Sequence, residues 1–194
     1  MLAHHLIRQG IIAPVAMVIP MLLSPFVPGF DSFASHLSEY QLGPEWISAI
    51  VRISAALAGT SIIAFSIGLL LAKGGISWSW SALAGFAFGL AMLFNGIFVA
   101  GDPRHGLYGL AIFAVLLPAF FATEFSDWLT PVGKQISLFV AFAGLFYMWF
   151  LLVGLDPAEY RGLTQRAYIL LSFGWFLVPF MAAGRQRTAS PVSS

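Results

Sequence analysis

The run Trp46–Ala72 reads WISAIVRISAALAGTSIIAFSIGLLLA and holds one charged side chain, Arg52, in 27 residues. A surface helix of a water-soluble domain keeps one polar face, whereas a helix apolar on every side over this length belongs in lipid. At 1.5 Å per residue the run is about 40 Å long, enough to cross a hydrocarbon core of about 30 Å with tilt to spare. Five more runs of the same character follow this reading: 11–27, 80–100, 106–123, 136–154 and 166–183. The fourth is the shortest and reaches spanning length only if Gly106 and Thr123 extend it. Turn-forming pairs separate the runs: Pro28-Gly29, Gly43-Pro44, Gly74-Gly75, Asp102-Pro103 and Asp156-Pro157, with Pro131 and Gly133 before the fifth. Trp46, Trp78, Trp80 and Trp128 fall at run ends, where amphipathic rings sit at headgroup level.

The expected fold is therefore all-α: a polytopic membrane protein with a six-transmembrane-helix bundle over residues 1–184 and a polar, disordered tail over 185–194. The first run is interrupted by Pro14, Pro20 and Pro25 and has no small-x-small cleavage site, so it reads as a retained helix and not as a signal peptide. The 194 residues leave room for short loops and no sizeable soluble domain. Composition agrees, with 59% hydrophobic and 9% charged residues against about a quarter charged in soluble domains. A net charge of +1 gives no reason to expect a nucleic-acid partner, and the absence of cysteine excludes disulfides, thiolate metal sites and cysteine catalysis.

Lysine and arginine set the expected orientation. Arg8, Lys73, Lys134, Arg185 and Arg187 fall on one side; Arg104 and Arg161 fall in loops on the other, with Arg52 and Arg166 at helix starts there. Five against two, or five against four with the helix-end arginines, favours both termini in the cytoplasm of a multi-pass cell-membrane protein. Six of the eight acids (Asp31, Glu39, Glu45, Asp102, Asp156, Glu159) then lie outside, and only Glu124 and Asp127 inside. Chemistry is expected at the outer end.

Three outer segments carry the candidates: Phe30–Tyr40, Gly101–Gly106, and Asp156–Arg161 leading to Gln165-Arg166. His105, Asp102 and His36 are the candidate catalytic groups, because imidazole titrates near neutrality and a carboxylate can orient it. Arg52, Arg104 and Arg166 are candidates to hold a phosphate, with Asn95, Asp31, Ser38 and Gln165 as further ligand-binding residues. Arg52 lies about 9 Å into its helix; it either snorkels to the headgroups or turns inward on the face of Ser48 to pair with Asp31, Glu39 or Asp102. Asn95 lies in the third helix seven residues before Asp102, so the two are expected to share a face; an interhelical hydrogen bond is its plainer role. His36 and His105 with nearby carboxylates match the chemistry of zinc or iron, but no diagnostic spacing is present and no metal ligand set is assigned. No GxSxG elbow surrounds Ser38, and a turn or cap role suits it. His4, His5 and Arg8 read as a solvated anchor. Ala55 with Gly59, and Gly85 with Gly89, are small-xxx-small pairs for close helix packing. No cofactor is identifiable.

Pro28-Gly29-Phe30-Asp31, His36, Ser38, Gly43-Pro44, Gly96-Ile97-Phe98, Asp102-Pro103, His105-Gly106, Leu163, Gln165-Arg166 and Trp175, with Gly10 and Pro14 opening the chain, resemble in order the pattern of the domain-of-unknown-function 998 family. The resemblance covers nearly the whole chain. It implies six helices, a prokaryotic source and distant kinship to Frag1-like membrane proteins, which are associated with lipid remodelling. It implies no agreed activity. The family often has a further histidine three residues after the glycine of His-Gly, where this chain has Gly109, which lowers the metal reading; the 101–106 link is also shorter than usual.

The leading expectation is a site that binds or processes a lipid headgroup or other amphiphile at the outer leaflet. A non-enzymatic accessory subunit docking partner membrane proteins is the alternative. A small transporter ranks third, since the sequence offers no broken helices in matching halves and no midplane charge.

Overall fold

A computed structural model describes residues 2–73, 79–107 and 109–189 of the chain. Trp78, the Gly74-Gly75 pair and residues 190–194 lie outside the described residues. Within them the chain is all-helical: α1 (Leu2–Gln9), α2 (Ile12–Leu23), α3 (Glu45–Ala72), α4 (Trp80–Ile97), α5 (Phe113–Glu124), α6 (Pro131–Leu152), α7 (Arg161–Gly174) and α8 (Leu177–Ala189). Five segments are long and apolar enough to cross a membrane: Leu2–Phe26, Glu45–Ala72, Trp80–Ile97, Pro131–Leu152 and Arg161–Gln186. The sixth, Leu110–Glu124, is shorter. The protein is thus a polytopic helical membrane bundle.

Several boundaries move from their sequence-based positions, each for a local reason. The fourth run does not extend back to Gly106, because Gly106, Leu107 and Gly109 all have positive φ and cannot be helical. The third helix stops at Ile97, where Phe98 turns extended, so Asn95 and Asp102 do not share a helix face. The fifth spanning helix begins at Pro131, five residues earlier than expected. Thr130 Oγ accepts from Gly133 N at 3.1 Å as its N-cap and Pro131 takes the first helical position. The last helix continues to Ala189, well into the stretch expected to be disordered.

The first and last spanning segments are each interrupted, at Gly10-Ile11 and at Trp175-Phe176. Pro14 and Pro179 are the third residues of α2 and α8, positions where a backbone N–H has no intrahelical partner and a proline costs nothing. The carbonyls four residues back accept three-residue turns instead, from Ala13 N to Gly10 (3.2 Å) and from Val178 N to Trp175 (2.8 Å). Pro20 and Pro118 pass inside helices without such breaks. The two breaks pack on each other: a Cβ on Gly10 would meet Phe176 at 2.9 Å and Phe65 at 3.2 Å. Around them sits an aromatic core of Phe65, Phe121, Phe125, Trp175 and Phe176, with Trp175 Nε1 donating to Ser137 Oγ at 2.8 Å. Broken helices were not expected, but these are the first and last segments, not matching members of two halves.

Helix α4 is held at both ends by its neighbours. Its N-terminus meets Glu124, whose carboxylate accepts from Ser79 Oγ (2.7 Å), Trp80 N (2.7 Å), Ser81 N (3.2 Å) and Ser81 Oγ (2.7 Å). Its C-terminus meets Arg52 of α3, with Nε on the Gly96 carbonyl (3.1 Å) and Nη2 on that of Ile97 (3.0 Å). Anion at the N-terminus and cation at the C-terminus both oppose the helix macrodipole and satisfy orphan backbone groups. Glu124→Ala should therefore lower stability by about 2 kcal/mol, from lost charge-assisted bonds and the lost cap. A fall in the thermal unfolding midpoint in detergent, larger than for Asp127→Ala, checks this.

The amino-terminal anchor is packed: His4 stacks on Trp128 at 5.6 Å and Arg8 lies 4.5 Å over the Phe180 ring. These contacts, with Lys73 Nζ on the Glu124 carbonyl (3.3 Å), place His4, Lys73 and residues 124–128 together. The three polar loops gather at the other end.

Candidate functional site

Cross-loop hydrogen bonds draw those segments together. Leu163 N donates to the Phe33 carbonyl (3.0 Å) and Leu37 N to Gln165 Oε1 (2.7 Å). Arg161 binds the Ala34 carbonyl (2.8 Å) and Glu39 (3.2 Å). Gln41 joins the first loop to the second: its Nε2 donates to the Asn95 carbonyl and its Oε1 accepts from Ala100 N, both at 2.9 Å. Gly162 permits the first loop to lie directly on α7, since a Cβ there would collide with the Ser35 and Phe33 carbonyls.

Beneath the gathered loops lies a cavity of about 270 Å³. Its polar rim comprises His36, Ser38, Gln41, Asn95, His105 and Gln165. Its floor is Met17, Val51, Ala55, Phe88, Met92 and Phe173. Tyr147 of α6 and Tyr168 of α7, stacked at 4.7 Å, close one side. Among the described residues three buried side-chain atoms have no hydrogen-bond partner: His36 Nε2 and Asn95 Oδ1, both on rim residues, and Arg166 Nε on α7, outside the cavity lining. Such atoms cost about 1–3 kcal/mol each, and native proteins keep few of them.

Five of the sequence candidates line this cavity: His36, Ser38, Asn95, His105 and Gln165. The other five lie elsewhere. Asp102 is paired with Arg104 at 2.8 Å, whose guanidinium covers Phe98 at 3.9 Å. His105 Nδ1 instead contacts the Phe98 carbonyl at 2.8 Å, so the expected Asp102–His105 pair does not form. Arg52 meets no carboxylate among the described residues; it caps α4. Arg166, only 8% exposed, donates Nη1 to the carbonyls of Ser35 (2.9 Å) and Gly162 (2.8 Å) and Nη2 to Ser24 Oγ (3.1 Å). Asp31 makes a local turn, accepting from Phe33 N at 2.8 Å. Among the described residues, no three histidine or acidic side chains converge as metal ligands. Gln41, Tyr147 and Tyr168 were not anticipated: the tyrosines sit inside apolar runs, where only their hydroxyls hinted at more than packing.

Two loop groups have shifted acidity. The Arg104 side chain and backbone N–H hold the Asp102 carboxyl down at about 2. Burial, opposed by Glu39 and Asp156 and reinforced by Arg161 and Arg166, lowers His36 below its ordinary 6.5. A histidine with a depressed folded pKa is neutral in the fold. Below pH 6.5 the unfolded chain binds the proton and the folded one resists it, so stability is full above that pH and falls as pH drops through the folded value. Acidification from pH 7 to 5 should thus lower the unfolding midpoint of the wild type, and His36→Gln should flatten part of that slope.

No curated protein and no solved structure matches this chain. A family pattern does match, spanning residues 11–182, from Ile11 in the first break to the buried Ala182 of α8, and so embracing every element that builds the cavity. The chain belongs to the family described as Protein of unknown function (DUF998).

Proposed function

We propose that this integral membrane protein binds an amphiphile in the loop-end cavity, its polar head at the rim and its chain on the floor, on the extracytoplasmic side. The observation that carries this reading is the pair of orphaned rim atoms, His36 Nε2 and Asn95 Oδ1, above an apolar floor. A ligand head at the rim would supply the partners these two atoms lack. His36 and His105 are the rim groups able to move a proton if the ligand is also processed. The arginines act in this reading as fasteners of loops and helix ends, not as phosphate holders.

An orphan acceptor costs stability when no ligand is present, so removing it separates binding from folding. Asn95→Leu is expected to leave the ligand-free protein as stable as wild type or about 1 kcal/mol more stable. Lipid extracts of the purified variant should lose an amphiphile that co-purifies with wild type, as seen by mass spectrometry. Equal recovery of that molecule from both proteins, or from neither, would count against the site.

A further inference from the structure

The cavity has a second neighbour. A groove of about 290 Å³ lies between α6 and α7, lined by Ala143, Phe146, Phe150, Thr164, Ala167 and Leu171. Tyr147 and Tyr168 line this groove and the cavity alike. Both helices belong to membrane-crossing segments, and Phe146, Ala167 and Leu171 are exposed, so the groove faces lipid. Two stacked rings, 21° from parallel, are therefore the partition between the bilayer and the cavity.

The wall chemistry defines the occupant. Among the described residues that line the cavity there is no Asp, Glu, Lys or Arg. The guanidiniums nearby are held away from the lining: Arg52 by α4 carbonyls, Arg161 by Glu39 and Ala34, and Arg166, whose Nε alone is left unpartnered, by Ser24, Ser35 and Gly162. A phosphate or carboxylate would enter a partly desolvated space with no permanent cation in its lining, which is disfavoured. A hydroxyl suits the rim: it donates and accepts at once, so it completes His36 Nε2 in either tautomer and the Asn95 amide in either orientation. His105, donating Nδ1–H to the Phe98 carbonyl in its neutral form, keeps Nε2 as an acceptor for a second hydroxyl.

Resting on the amphiphile reading above, we infer that the ligand is a single-chain lipid with an uncharged, hydroxyl-bearing head, of the monoacylglycerol class, entering sideways from the bilayer past Tyr147 and Tyr168. A single chain fits and two do not, because the cavity, about 270 Å³, falls just below the usual range of ligand pockets, about 300 to 1,000 Å³.

The test uses the full chain in phosphatidylcholine nanodiscs. Two photoreactive probes carry the same diazirine-bearing acyl chain, one as a monoacylglycerol and one as a lysophosphatidylglycerol. Labelled peptides are mapped by mass spectrometry. The monoacylglycerol probe should label cavity-floor peptides of α3 and α4 at least ~10-fold more than the anionic probe. Unlabelled monoacylglycerol should compete, and Asn95→Leu should cut labelling several-fold. Equal or stronger floor labelling by the anionic probe overturns the uncharged class while leaving an amphiphile site standing. No floor labelling by either probe overturns the amphiphile reading itself. Ala167→Trp, at an exposed position, fills the groove without touching the core. It should slow the approach to full labelling several-fold and leave the final extent unchanged. An unchanged rate overturns the lateral route.

Discussion

Gly59→Leu should abolish the native bundle or leave it at least ~3 kcal/mol less stable, the largest effect expected of any single substitution here. Helices α3 and α4 touch backbone to backbone. A Cβ on Gly59 would meet Leu93 N and lie 2.6 Å from the Gly89 carbonyl; one on Gly96 would lie 2.6 Å from the Arg52 carbonyl and 2.8 Å from Ala56. Backbone atoms cannot rotate aside as a side-chain tip can, so the helices would have to separate along their whole contact. In lipid there is no hydrophobic gain to draw them back together, since their association rests on close packing and interhelical polar bonds. Separation would also pull Arg52 from the end of α4 and open the cavity, which draws on both helices. Gly184→Ala is the control, because nothing lies within 4 Å of the added methyl and alanine favours the helix. Unfolding in graded denaturing detergent should give a much lower midpoint for Gly59→Leu and an unchanged or raised one for Gly184→Ala. A Gly59→Leu protein with wild-type stability would refute the backbone-contact account.

Arg166→Met is expected to cost on the order of 3 kcal/mol. Its guanidinium ties the end of the first spanning segment (Ser24) and the first loop (Ser35) to α7 (Gly162). Charge-assisted bonds are worth about 1.5–3 kcal/mol each, and relief from burying the charge offsets part of that loss. Lysine keeps the charge without the planar fork that reaches separate acceptors, so Arg166→Lys should recover little. Because the first loop supplies His36, Ser38 and Gln41 to the rim, both variants should also release the co-purifying amphiphile. Limited proteolysis within residues 29–44 would show the freed loop. Loop resistance and stability equal to wild type in Arg166→Met would remove the arginine from this role.

Spanning segments were legible because lipid leaves a strong and simple mark: a helix apolar on all sides for twenty residues has few other homes. Convergence of the three polar loops was legible for a related reason, since alternating spans deliver every second loop to one end. Helix ends were less so. Gly106, Leu107 and Gly109 adopt positive φ, and an apolar residue such as Leu107 gives no warning of that. Pro131 looked like a breaker and proved a starter, because a proline is unfavourable inside a helix and favourable at its first position.

At the candidate site, residue type identified His36, Asn95, His105, Ser38 and Gln165 as unusual in so apolar a chain, and all five meet at the cavity. Charge was harder to read in the same region. Arg52, Arg104 and Arg166 looked like phosphate-holding groups and Asp102 like a catalytic one, yet each is bonded to carbonyls, a hydroxyl or an ion-pair partner of the protein itself. A sequence shows that a charge is present at depth and that it must be compensated; it does not show by what.

By itself, then, the sequence determined the membrane, the helical class, the approximate spans and the end of the bundle where polar chemistry gathers. Hydropathy is a property of each residue against its solvent and sums along the chain. Only the tertiary structure decided that Arg52 and Glu124 clamp α4, that the broken first and last segments interlock at Gly10 and Phe176, and that a neutral cavity lies under the loops. Those depend on which backbone carbonyls, glycines and rings from distant segments meet within a few ångströms. Short-range directional contacts of that kind exist only once the helices are packed.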